Sequence, residues 1–121
     1  FLTWMESFNG IQIFTTNRLK DLDSASLRRF NHKIEFGYLK PEGNVIFYRS
    51  YLAPLTRRTL DISMEDSVRK IEGLTPGDFK SVKDKFRFRD RKRLSHESLI
   101  SALADESRIK STHAGQSRIG F

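Results

Sequence analysis

The chain has no cysteine, so it can build neither a disulfide framework nor a thiolate metal site. Histidine is scarce. His32, His96 and His113 are scattered without ligand spacing, and no metal site is expected. No apolar run is long enough to cross a bilayer, so no membrane contact is expected. The opening FLTWMESF carries Glu6 and no basic stretch, which argues against a signal peptide; a cytoplasmic location is the default expectation. The opening also lacks an initiator Met, so the chain is expected to be cut from something longer. Acidic residues are outnumbered, 15 against 22 basic, for a formal charge of +7. That balance favours nucleic acid, nucleotide phosphates or an acidic protein surface, without choosing among them. What is present is a modest apolar content, 37% with ten Phe, enough for a packed core in one small domain or part of one.

Apolar residues at positions 1, 2, 4, 5 and 8 have helical spacing, and Asn9-Gly10 ends that helix. Trp4 and Met5 read as its packing face. IQIFTT, residues 11–16, reads as a short buried strand. NRLKD then forms a loop, and Asp23 caps one or two helical turns over SASLRRF. KIEFGYL alternates Ile34, Phe36 and Tyr38 with Lys33, Glu35 and Gly37, the period of a strand. Two strands joined by a short helix suggest a parallel unit.

From Lys40-Pro41-Glu42-Gly43 onward the pattern is helical. Val45, Ile46, Tyr48, Tyr51 and Leu52 mark a helix limited by Pro54. Ser63 to Asp66 resembles a capping box before VRKIEG, with Gly73 as a stop. Thr75-Pro76-Gly77-Asp78 is a strong helix start, with Phe79, Val82 and Phe86 turned inward. Ser95 caps a last helix carrying Leu99, Ile100, Leu103 and Ile109 on one face. The expected class is mostly α with a short parallel β piece: residues 1–40 α/β, 41–110 a four-helix unit, and 111–121 a flexible tail.

The series Thr16-Asn17-Arg18, Leu22-Asp23-Ser24-Ala25-Ser26-Leu27-Arg28-Arg29-Phe30, then a basic-apolar strand from His32 to Phe36, resembles a stretch of the AAA+ ATPases. There a strand ends in the sensor 1 Asn, and a short helix ends in arginine fingers. LTWMESFNG is similar to the family's preceding helix. The helices from Pro41 look like its lid subdomain, with LTPGDF similar to the lid's Leu-Ser-Gly-Ala-Asp segment. Residues 1–40 would then be the remnant of the α/β large subdomain, and 41–110 the four-helix lid. The chain holds no G-x-x-x-x-G-K-[ST] loop and no apolar strand ending in Asp-Glu. By family order both would precede Phe1, and this piece alone is expected not to hydrolyse ATP.

The resemblance implies that Asn17 orients the attacking water or touches the γ-phosphate, and that Arg28 and Arg29 serve the nucleotide of a neighbouring subunit. It implies a ring homo-oligomer, expected as a hexamer, that uses ATP with Mg to remodel a protein or complex. Gly77 and Asp78 would contact the nucleotide near its base; the piece alone is expected to carry no cofactor. Taken alone, each position also has a plainer reading. Asn17 can cap the loop after a strand, the two arginines can complement a helix C-terminus, and Thr75 to Asp78 can be a capping box and nothing more.

FKSVKDKFRFRDRKR, Phe79 to Arg93, interleaves eight basic residues with three Phe. Such a run fits a small nucleic-acid-binding module, the alternative function, as well as a solvated helix face or a surface that meets an acidic neighbour. A third reading is a regulatory remnant that docks on an intact ATPase as a non-catalytic lid.

Overall fold

The computed structural model describes residues 7–119, with side chains omitted at Leu19 and over 113–119. The chain divides into two compact units, Phe1–Phe36 and Gly37–Phe121. It is mostly helical, and among the described residues it has no strand.

In the first unit a 3-10 turn, Leu19–Asp21, precedes the short helix α1, Ser24–Arg28. Asp23 caps α1 as expected: its backbone is extended and its carboxylate accepts the Ser26 N–H at 2.6 Å. The short parallel β piece is corrected: neither IQIFTT nor KIEFGYL forms a ladder. Ile11, Ile13, Ile34 and Phe36 are exposed by 77% or more. Alternation fixes which side chains share a face, but a strand also needs a neighbour to take its N–H and C=O groups. The helix expected over Phe1–Phe8, with Trp4 and Met5, lies mainly outside the described residues.

The second unit packs four helical segments around one core. Helix α2, Pro41–Phe47, has Pro at its first position, where the missing N–H costs nothing. It widens into a π turn at Tyr48–Leu52, where the Ala53 N–H reaches the Tyr48 carbonyl. It then tightens into a 3-10 turn at Ala53–Leu55, across Pro54, and ends at the extended Thr56. Tyr48 and Leu52 are fully buried, whereas Ile46 and Tyr51 are exposed.

Helix α3, Ile62–Arg69, is capped by Asp61, two residues before the expected Ser63 cap. Asp61 accepts the Met64 N–H at 2.8 Å and places a carboxylate at the positive helix end. The connection after α3 turns at Gly73, whose φ of 75° lies in the left-handed region open to glycine. Helix α4, Pro76–Phe86, starts in a capping box, with the Asp78 carboxylate accepting the Thr75 N–H at 2.8 Å. Helix α5, His96–Ile119, starts where the Ser95 hydroxyl accepts the Ser98 N–H. It continues through the segment expected as a tail.

Val68, Leu74, Phe79, Val82, Leu99 and Leu103 join Tyr48 and Leu52 at zero exposure. Each fully buried side chain of this size contributes about 1.5–3 kcal/mol of transfer free energy. Ile109 leaves the core and is half exposed.

Polar groups join the core only where each has a task. Asn44, fully buried in α2, donates its amide to the carbonyls of Val68 at 3.1 Å and Ile71 at 2.8 Å. These carbonyls stand at and just beyond the α3 C-terminus; the Val68 carbonyl also accepts the Ile71 N–H at 3.3 Å. Two carbonyl partners fix the amide orientation, because its oxygen could not face them. Replacing Asn44 by Ala is therefore expected to cost about 1–3 kcal/mol: two hydrogen bonds are lost, and the Ile71 carbonyl loses its side-chain donor while Val68 keeps the Ile71 N–H. Urea unfolding followed by far-UV circular dichroism measures it; a loss below ~1 kcal/mol would show that solvent reaches those carbonyls.

Candidate functional site

The first unit carries Asn17, Arg28 and Arg29, and the second carries Gly77 and Asp78. Asn17 sits at an exposed bend between the irregular 11–16 segment and the 3-10 turn. Local bonds shape this corner. The Thr16 hydroxyl accepts the Arg18 N–H at 2.9 Å, and Arg18 pairs with Asp21 at 2.8 Å. The Arg18 carbonyl accepts the Asp21 N–H at 3.0 Å. Arg18 is thus tied back to its own turn, whereas Asn17 presents an uncharged amide to solvent.

Arg28 is the last residue of α1 and Arg29 its C-cap; both are exposed. Cations there complement the negative end of the helix. The Arg29 N–H closes the turn onto Ser26 at 3.2 Å, and Ser26 is buried beneath it. Phe30 packs edge-on against Phe14, ring centres 5.6 Å apart, which anchors the chain just past the arginine pair. Guanidinium groups so placed can grip a phosphoryl group bidentately.

At the second location Asp78 is buried, and its carboxylate is engaged through Oδ2. It accepts the Thr75 N–H and hydroxyl, and it forms an ion pair with Lys110 of α5. Lys110 also donates to the Gly73 carbonyl at 2.5 Å, and its ammonium lies 5.4 Å from the centre of the Tyr38 ring. The Ser107 hydroxyl donates to the Glu72 carbonyl, so α5 holds both carbonyls of the turn at Gly73. Next to this turn is an open cleft of 610 Å³, lined by Tyr38, Lys70, Glu72, Gly73, Ser107 and Ser111.

This helix start does not fit a phosphate. The Asp78 carboxylate already takes the anion's place. Gly77 is also not required for close approach: a Cβ there would meet only the Thr75 hydroxyl, at an ordinary 3.6 Å. Asn17 offers a neutral amide, and Arg28 and Arg29 offer guanidinium groups, at exposed positions on either side of the Asp23-capped turn.

Sequence reasoning missed Lys110. Nothing near it in the sequence points to Asp78, 32 residues away. It also missed the buried pair Tyr48 and His96. The Tyr48 hydroxyl bonds His96 Nδ1 at 2.8 Å, and His96 Nε2 bonds the Arg58 carbonyl at 2.9 Å. Among the described residues no three His, Asp or Glu side chains come together as a metal site, and no helix is long and apolar enough to cross a membrane. No protein-family model, curated protein or solved structure matches the chain.

Two expectations follow. The Asp23 carboxyl lies below its usual range, because the Ser26 N–H and hydroxyl both hold the charged form. A depressed carboxylate contributes stability that is present above its unfolded pKa and lost as pH falls through the folded value. Hydrogen exchange at the Ser26 amide should therefore accelerate, relative to its intrinsic rate, only as pH falls below the usual Asp range near 3.8. In Asp23→Asn that pH dependence should vanish. Gly77→Ala is expected to be neutral or to stabilise by up to ~1 kcal/mol, since a helical first turn accepts Ala without strain. Thermal unfolding reads it, and a loss of more than ~1 kcal/mol would mean that glycine is needed there.

Proposed function

We propose that this chain is the C-terminal part of an AAA+ ATPase module acting in the cytoplasm. The observation that carries the reading is the ordered series Asn17, Leu22-Asp23 and Arg28-Arg29-Phe30. Its placement supports it: an exposed Asn at a bend, then an Asp-capped helix of five residues ending in two exposed arginines. The four helical segments after Gly37 support a lid, although the lid's sequence likeness is less specific.

In this reading Asn17 orients water at the nucleotide held by its own subunit, through a donor and an acceptor without net charge. Arg28 and Arg29 reach the nucleotide of the next subunit and neutralise charge on the transferring phosphoryl group. The site is then completed only in a ring, taken as a hexamer, and ATP with Mg supplies the driving reaction for remodelling a protein or complex. The lid contributes the exposed Tyr38 ring, at the edge of a mostly polar cleft, as a surface for the base, while Asp78 fixes the helix start through the cap and Lys110. The phosphate loop and the magnesium-holding acidic pair come from a preceding half of the module.

The test joins this chain to a phosphate-loop half and measures ATP turnover in the assembled oligomer. Arg28→Ala and Arg29→Ala are assayed singly and together. At least one should lower kcat by about 10³-fold or more, and Asn17→Ala by about 10²-fold. Mixing finger-deficient subunits with phosphate-loop-deficient subunits should restore turnover, because each site borrows its arginine. Unchanged turnover in the double arginine variant would refute the assignment.

A further inference from the structure

The arginine-rich run found in the sequence changes character once folded. Phe79 is fully buried and Phe86 is packed against the core, so neither can meet a partner as a free aromatic face. Phe88 remains, 87% exposed, with the Arg87 guanidinium 4.7 Å from its ring centre. Arg87, Arg89, Arg91, Lys92 and Arg93 are all exposed on the connection between α4 and α5.

The fold brings a second basic segment to this one. The Arg57 N–H donates to the Arg91 carbonyl at 3.1 Å, and the buried Thr56 hydroxyl donates to the Leu94 carbonyl. His96, at the start of α5, bonds the Arg58 carbonyl. These three bonds pin the Thr56–Arg58 loop beside the 87–94 connection, some 35 residues later in sequence. Arg57 and Arg58 are exposed too, which makes seven cations on two adjoining loops. Carboxylates compensate little. Arg87 reaches Asp84 and Arg93 reaches Asp90 only at 3.9 Å, with all four side chains about half exposed or more. No ion pair engages Arg57, Arg58, Arg89, Arg91 or Lys92 among the described residues.

We propose that this two-loop face binds single-stranded nucleic acid without sequence preference. Phosphates sit on the guanidinium forks of both loops, and one base stacks on Phe88. The chemistry favours this occupant in two ways. Six of the seven cations are arginines, whose planar forks match phosphate oxygens bidentately. The single large apolar group among them is an exposed ring, which a splayed base can cover and an acidic peptide side chain cannot. A duplex would offer its phosphates but keep its base faces stacked. The proposal is independent of the ATPase reading.

The test is a fluorescence anisotropy titration of the full chain with a labelled twenty-nucleotide oligothymidylate, with polyglutamate of the same length in parallel. With about four phosphates neutralised, raising salt from about 50 to about 200 mM should weaken binding roughly 50-fold. Arg57→Ala with Arg58→Ala should weaken binding at least about tenfold and flatten the salt slope by about 1.4 units, two phosphate contacts being lost. Phe88→Ala should weaken oligothymidylate binding about tenfold without changing the slope. Lys20→Ala with Lys33→Ala, an equal charge change in the first unit, should do neither. All replaced side chains are exposed, and a thermal melt of each variant confirms its fold. No binding at about 50 mM salt would overturn the proposal. So would losses equal to those of the Lys20, Lys33 control, which would mean that net charge alone acts. Polyglutamate binding as tight as oligothymidylate, with Phe88→Ala indifferent, would overturn it in favour of an acidic protein partner.

Discussion

One chain of buried hydrogen bonds organises the helical unit: Tyr48 to His96 to the Arg58 carbonyl. Both side chains are essentially without solvent. A carbonyl only accepts, so Nε2 must hold a proton, and Nδ1 is left to the phenol. Burial, with Glu97 nearby, pushes the Tyr48 phenol well above its ordinary range, so its proton stays in place. The two bonds together fix the mutual placement of α2, the Thr56 loop and the start of α5. Leaving any one partner unpaired would cost about 1–3 kcal/mol, a large share of a small domain's stability.

The same logic repeats at the other connections. Asn44 closes the end of α3, and Lys110 with Ser107 holds the carbonyls of the turn at Gly73. In each case a side chain from a neighbouring helix supplies donors to carbonyls at the end of another segment. Surface ion pairs add less. Arg69 bridges Glu42 and Asp66 at 3.0 and 2.8 Å, but such exposed pairs are worth at most about 1 kcal/mol. The unit is thus held by its apolar centre and by polar clamps at the ends of its helices.

Helix starts were legible in the sequence because their chemistry is local. Asp23, the Thr75 to Asp78 box and Ser95 each announce a cap within four residues, and the structure has helices at all three. The α3 start was misplaced because Asp61 and Ser63 are both good caps, and only the helix axis decides between them. The strands expected over 11–16 and 33–39 failed for the opposite reason, since pairing is not local. At the candidate sites, Asn17 and the arginine pair could be named from their order in the chain. The Lys110 partner of Asp78, and the meeting of Arg57 with Arg91, could not, because they depend on helices folding back over more than 30 residues.

The apolar runs without a ladder carry a consequence for handling the protein. Exposed Ile11, Ile13, Ile34 and Phe36 make both 11–16 and 33–36 templates for edge-to-edge association between copies. Opposing this is the net charge of +7, which makes copies repel. That repulsion reaches about 10 Å at 0.1 M salt and only about 3 Å at 1 M. Colloidal stability of the chain therefore rests on ionic strength: concentrated salt removes the repulsion and strengthens the apolar attraction together.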